Sequence, residues 1–238
     1  MQKVSKLNVK LFADGADLAG MFEMYEKPYI KGLTTNPTLM RKAGITDYRK
    51  FALEVLAQIT AKPISFEVFS DDLAEMERQA LEISTWGANV YVKIPITNTL
   101  GQSTAEIIGN LVRKSVKVNV TALMTTKQVS IISEVLGDSV PSYVSVFAGR
   151  IADTGRDPLE IMSQSLKILM ENRATELIWA SPRELLNVFQ ANDIGCHVIT
   201  ATSDILKKLE LVDYDLDAYS LDTVKMFRND AIAANFKI

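Results

Sequence analysis

Lysine is out of place inside a short β-branched run, yet Lys93 stands in one, N-V-Y-V-K-I-P-I-T at residues 89–97. An ammonium group buried without a partner is costly, so a desolvated lysine tends to shed its proton. A neutral amine is a good nucleophile toward carbonyl carbon. Pairing with a carboxylate, or snorkelling from a strand end to water, is the alternative fate for such a residue. Other chemistry-bearing residues recur at comparable places along the chain. Asp14 and Glu67 are carboxylates and Thr121 and Ser145 hydroxyls that can pass protons through a water beside the lysine; Arg150 and Arg183 can clamp a phosphate bidentately. Thr34, Thr35, Asn36, Asn119 and Ser181 complete the polar set. Each has a structural alternative: Asp14, Asn36 and Ser181 suit caps and turns, and Thr121 is at home in a strand.

These residues share an address. Short β-rich runs alternate with helix-prone segments along the chain, and the polar residues fall at the ends of the runs. The expected strands are 9–14, 31–36, 63–69, 89–97, 117–123, 141–149, 176–181 and 196–202. Helical periodicity predicts helices over 16–27, 47–60, from Asp71 or Asp72 to Trp86, from Gln102 or Ser103, over 125–136, 158–171 and 204–211, and an additional C-terminal helix over 220–236. Pro37 and Pro182 suit first helical turns. Eight strand–helix units in 238 residues predict an α/β fold, a single (β/α)8 TIM barrel spanning residues 1–238. An open doubly wound sheet is disfavoured, because the first turn reads A-D-G-A-D and lacks G-x-G-x-x-G. Closing the barrel carries all the strand ends to one mouth, where such folds keep their chemistry. An amine, an acid–base pair and a phosphate clamp, with N–H groups from a helix expected to open at Pro182, suggest Schiff-base chemistry on a phosphorylated sugar.

Composition narrows the alternatives. With 47% hydrophobic and 23% charged residues and a net charge of −3, the chain has no basic stripe suited to nucleic acid. No window approaches a membrane span, and Met1–Lys10 lacks the apolar core of a signal peptide, so a cytoplasmic location is expected. The single cysteine, Cys196, excludes an internal disulfide framework and is expected in the core; the single histidine, His197, sits early in its strand and is expected to be structural. Asp213–Asp217 reads as solvated surface.

Five ordered motifs carry a resemblance: L-T-T-N-P-T-L at 33–39, V-Y-V-K-I-P-I-T at 90–97, V-N-V-T-A-L at 118–123, S-V-F-A-G-R-I at 145–151 and W-A-S-P-R at 179–183. In these the chain resembles the transaldolase family, specifically its short single-domain branch, which includes the fructose-6-phosphate aldolases. The resemblance implies a Schiff base on Lys93, proton abstraction from the substrate C4 hydroxyl by Asp14, and a catalytic water held by Glu67 and Thr121. It implies substrate contacts from Thr35, Asn36, Asn119, Ser145 and Phe147, phosphate binding by Arg150, Ser181 and Arg183, and no metal or organic cofactor. The reaction it implies is dihydroxyacetone transfer between sugar phosphates in the non-oxidative pentose phosphate pathway. Glu67 and Phe147 match the transferases, since the aldolases carry glutamine and tyrosine there. Val146 stands for a frequent proline, and Pro182 lies inside the A-S-x-R motif. The resemblance also implies a homo-oligomer, pentamer or decamer, with the C-terminal helix packed on a neighbour. An aldolase releasing free dihydroxyacetone and a non-catalytic sugar-phosphate-binding barrel are the competing readings.

Overall fold

The computed structural model describes residues 4–238, so the first three residues of the Met1–Lys10 segment lie outside the described residues. Eight parallel strands close into a barrel in sequence order: β1 Lys10–Asp14, β2 Ile30–Thr34, β3 Ile64–Glu67, β4 Val90–Pro95, β5 Val118–Leu123, β6 Ser142–Val146, β7 Thr175–Trp179 and β8 Val198–Thr202, which pairs back onto β1. The (β/α)8 expectation is borne out. The strands are covered on both faces, as β6 shows by being buried throughout its length, and the surrounding helices supply the outer half of the core. Several helices start where an oxygen side chain satisfies an otherwise orphaned N–H: Asp17, Asp47, Asp72, Asp157 and Asp215 each accept one, and Thr125 forms a reciprocal capping box with Gln128.

Inside the barrel, successive inward-facing positions form two layers. The lower one is largely apolar and aromatic. The rings of Phe12 and Tyr143 meet edge-on at 5.6 Å, and Tyr91 and Tyr143 lie 4.4 Å apart; Ile178 and Val198 pack beside them. Gly32 belongs to this layer for a steric reason, since a Cβ there would stand 2.4 Å from the Phe12 ring. This plug closes the barrel below the polar mouth.

Three expected boundaries are corrected. The sixth strand stops at Val146 rather than reaching Gly149; Ala148–Ala152 is a short helix, so Arg150 is carried on a helix. No helix opens at Pro182; the next one runs Leu186–Asp193. Ser181 adopts the left-handed conformation (φ 60°), and the N–H groups of Arg183 and Glu184 donate to Asn187 Oδ1 instead of to the mouth. The C-terminal helix begins at Leu216, with Asp215 as its cap, and runs to Ala233. The exposed Asp213–Asp217 stretch therefore includes a helix start.

Candidate active site

Each strand, or the residue directly after it, contributes to one cavity of about 640 Å³ at the C-terminal mouth: Asp14, Thr34, Glu67, Lys93, Thr121, Ser145, Ala180 and Thr200. Each lies two residues beyond a lower-layer position, the spacing that keeps a strand's side chains on one face. On β4 that step leads from Tyr91 to Lys93, on β1 from Phe12 to Asp14 and on β6 from Tyr143 to Ser145.

Lys93 is 7% exposed. The β3–β4 register sets it beside Glu67, and its Nζ lies 3.1 Å from Glu67 Oε2 while donating to the Thr35 carbonyl at 3.0 Å. The buried lysine is therefore ion-paired, as the alternative reading of its strand allowed. Removing one partner from such a pair strands the other charge, which typically costs about 3–5 kcal/mol. Tyr48, on the helix Tyr48–Gln58, donates to the Glu67 carbonyl at 2.8 Å and tethers this strand end from outside.

Asp14 stands on the opposite wall. Its Oδ1 accepts from Thr34 Oγ1 at 2.8 Å, and Asn36 Nδ2 approaches Oδ2 at 3.4 Å. Asn36 has a second duty, because its Oδ1 caps the helix Pro37–Lys42 through the Leu39 N–H. Burial pushes the Asp14 carboxyl above the usual aspartate range; the Lys93 charge and the Thr34 hydroxyl pull it back, and the Glu67 charge adds to the rise. An acid with an elevated pKa is closer to the operating range of a general acid–base catalyst.

Thr121 and its neighbour Ala122 both face the cavity, which a regular strand forbids for consecutive residues. A break in the β5–β6 register between Val120 and Leu123 makes this possible, with Ala122 in the left-handed region at φ 63°. Such a conformation costs about 1–3 kcal/mol in a non-glycine residue. It leaves Thr121 Oγ1 enclosed at the cavity wall without a protein hydrogen-bond partner, suited to a water or a substrate hydroxyl.

Two of the expected substrate-contact residues do not line the cavity. Asn119 is fully buried, with Nδ2 donating to Ser65 Oγ at 2.9 Å and Oδ1 accepting from Ser145 Oγ at 2.7 Å. Thr35 directs its hydroxyl to the Ser65 carbonyl at 3.0 Å and offers its own carbonyl to Lys93. Asn36, Ser145, Phe147, Arg150, Ser181 and Arg183 do line the cavity.

At the rim, Arg150 lies 5.6 Å over the Phe147 ring. Arg183 is braced: Nε donates to Asp153 Oδ1 at 2.8 Å, Nη2 pairs with Oδ2 of the same carboxylate, and Nη1 donates to the Ser181 carbonyl (3.0 Å) and hydroxyl (2.9 Å). The guanidinium holds the Asp153 carboxyl below its usual range and is itself raised by it. Gly149 lets the two rim segments meet, since a Cβ there would fall 1.6 Å from the Ser181 carbonyl oxygen.

Thr200 was absent from the residues singled out in the sequence, and Thr34 carried no role there. The i, i+2 step Val198–Thr200 on β8 is the signal that identifies the former. His197 and Cys196 lie just before β8, away from the mouth. His197 Nδ1 accepts from the Leu177 N–H at 3.0 Å, and burial keeps the imidazole below its usual range. The buried Cys196 thiol is pushed up to about 12. Among the described residues, no cluster of three or more histidine, cysteine, aspartate or glutamate side chains is arranged to hold a metal.

The fold and site define a (β/α)8 barrel with an enclosed lysine between two carboxylates at its C-terminal mouth and arginines on the rim. Residues 11–237 match the family described as Transaldolase/Fructose-6-phosphate aldolase, and the chain belongs to that family. It is 32% identical over 231 residues to a probable transaldolase of Thermoanaerobacter sp. strain X514, covering 97% of this chain and 100% of that protein. A probable transaldolase of Dehalococcoides mccartyi strain ATCC BAA-2266 / KCTC 15142 / 195 is 32% identical over 202 residues (84% and 90% of the two chains). One of Methanococcus maripaludis strain C7 is 30% identical over 218 residues (90% and 97%).

Proposed function

We propose that this protein is a transaldolase, moving a dihydroxyacetone unit from sedoheptulose 7-phosphate to glyceraldehyde 3-phosphate and so yielding erythrose 4-phosphate and fructose 6-phosphate. The observation that carries the reading is the enclosed Lys93–Glu67 pair facing Asp14 across one cavity. Glu67 takes a proton from Lys93, and the neutral amine adds to the ketose C2 carbonyl. Loss of water, with its proton supplied through Glu67 and a water held at Thr121, leaves an iminium. Asp14 then removes the C4 hydroxyl proton, the C3–C4 bond breaks, and its electron pair flows into the iminium as the aldose phosphate leaves. The enamine adds to the acceptor aldehyde with Asp14 returning the proton, and hydrolysis frees Lys93. The protonated imine is the electron sink. Asn36 and Ser145 are assigned to substrate hydroxyls, Asn119 and Thr35 to the support behind them, and Arg150 with Ser181 and Arg183 to the phosphate.

Glu67 and Phe147 favour transfer over release, because a carboxylate stands beside the lysine and no phenol hydroxyl is present at 147 to protonate the enamine. Fructose 6-phosphate with borohydride, followed by mass spectrometry, should place a reduced adduct on Lys93; its absence from folded protein removes the Schiff-base mechanism. Product assays with and without erythrose 4-phosphate or glyceraldehyde 3-phosphate then separate the activities, since sustained dihydroxyacetone release without an acceptor identifies an aldolase.

The proposed setting is the cytoplasm and the pentose phosphate pathway, with sugar phosphates rather than nucleic acid or membrane as partners. No described helix is long and apolar enough to cross a membrane. We further propose a homo-oligomer, pentamer or decamer, in which helix Leu216–Ala233 packs on a neighbouring copy. None of its residues is buried within the chain, and Leu221, Val224 and Phe227 are exposed at helical spacing. Light scattering of Phe227→Asp against the parent chain tests this, and an unchanged mass sinks it.

A further inference from the structure

Thr200 lies on β8 with its side chain in the cavity and only 6% of its surface exposed, far from the lysine machinery in sequence. Its Oγ1 stands 2.6 Å from Thr34 Oγ1, and Thr34 Oγ1 donates to Asp14 Oδ1 at 2.8 Å. A hydroxyl has one proton to give. If Thr34 gives its proton to the Asp14 carboxylate, the proton in the Thr34–Thr200 contact must come from Thr200. The three side chains, on β8, β2 and β1, therefore make a one-way chain of donors ending on a carboxylate oxygen. We infer that Thr200 is a positioning residue for proton transfer at Asp14, acting through Thr34 to hold that hydroxyl as a donor and the carboxylate in one orientation. The catalytic part of this inference rests on the proposed role of Asp14; the hydrogen-bond chain does not.

A donor aimed at a carboxylate stabilises its charged form, so the chain opposes the upward pressure that burial exerts on Asp14. Chains of this kind polarise one another, and the far member contributes through the near one. The charged and titratable groups around Asp14 are Lys93 on β4, Glu67 on β3, Asp17 after β1, Lys42 at the end of helix Pro37–Lys42, Asp204 after β8, and Arg150 and Arg183 across the cavity. Thr200→Val leaves every one of them in place. It preserves shape and removes the hydroxyl, whereas Thr200→Ser restores it.

The test is a ¹³C-carboxyl NMR titration of Asp14 in the full chain, paired with the pH dependence of kcat for dihydroxyacetone transfer. Thr200→Val should move the Asp14 midpoint and the acid limb of kcat together to higher pH. It should lower kcat about fivefold at the optimum, the size of one net hydrogen bond, with KM for fructose 6-phosphate nearly unchanged. Thr200→Ser should return both curves, and in a Thr34→Val background Thr200→Val should add nothing. A midpoint and limb unmoved in Thr200→Val overturn the inference. Should that variant fail to fold, Thr200→Ala is read by the same titration with the same criterion. A Lys93 adduct without the shift keeps the proposed function and removes the role of Thr200. A shift without any Lys93 adduct keeps the hydrogen-bond chain and removes its catalytic meaning.

Discussion

Two layers of one barrel interior, two residues apart on the same strands, follow opposite rules. The lower layer excludes water with Phe12, Tyr91, Tyr143, Ile178 and Val198, and Gly32 yields its side-chain volume to the Phe12 ring. The upper layer holds an ammonium, two carboxylates and several hydroxyls in a cavity that those rings close from beneath. The lower layer is stabilised by area removed from water, whereas the upper one works against it: Asp14 is held above its ordinary range, and Ala122 is held in a left-handed conformation. The rigid floor lets the polar layer persist despite these costs, because close-packed aromatic rings leave the strand ends little freedom to relax.

Mutations can break that contrast. The largest effect expected is from Lys93→Arg: a guanidinium keeps its proton and forms no imine, so the borohydride adduct should vanish and kcat should fall by more than about 10⁴-fold. Asp14→Asn should lower kcat by about 10²–10⁴-fold while raising the thermal midpoint at neutral pH. The sign follows from the raised carboxyl: the folded state holds this proton more tightly than the unfolded chain, so the native Asp14 loses stability as pH rises from the unfolded to the folded pKa. The gain in Asn is therefore full above the folded pKa and fades as pH falls toward the ordinary aspartate value, which thermal melts across that range would detect.

In the lower layer the pattern should reverse. Phe12→Ala should cost about 3–5 kcal/mol, read by denaturant titration, and the shape of the pH–kcat curve should survive in whatever fraction folds. A Phe12→Ala protein that keeps full stability would dissolve the distinction between the layers. Glu67→Gln with Phe147→Tyr sharpens the chemistry instead, and should raise free dihydroxyacetone release relative to transfer; unchanged partitioning shows that these positions do not set it. The smallest effect expected is at the rim. Asp153→Asn removes the charge bracing Arg183 and should change KM for the phosphorylated substrate by about two- to fivefold with kcat nearly constant, a shift the size of one exposed ion pair.

Much of this is legible in the amino-acid sequence alone. Lys93 within its β-branched run, Asp14, Glu67 and Thr121 at strand ends, and the strand–helix alternation together implied a common mouth. Less legible were interactions that depend on which strands become neighbours. Thr200 meets Thr34 only because β8 returns to β1 and β1 lies beside β2. Asn119 looks like a cavity residue in sequence, but it is absorbed by Ser65 on β3, two strands away, and by Ser145 on the adjacent β6. Arg183 meets Asp153 across 30 positions, and the helix expected at Pro182 gives way to a left-handed Ser181 that the rim packing demands.

The sequence by itself determined the barrel, the position of the lysine and the chemical character of the mouth, because periodicity and residue type are local properties that closure converts into a shared site. Only the tertiary structure decided that the lysine is ion-paired to Glu67, that Asn119 lies beneath the mouth bonded to Ser65 and Ser145, and that a chain of hydroxyls from β8 reaches Asp14. Those are statements about distances of a few ångströms between strands far apart in sequence, and side-chain hydrogen bonds exist only once register and curvature have brought donor and acceptor together.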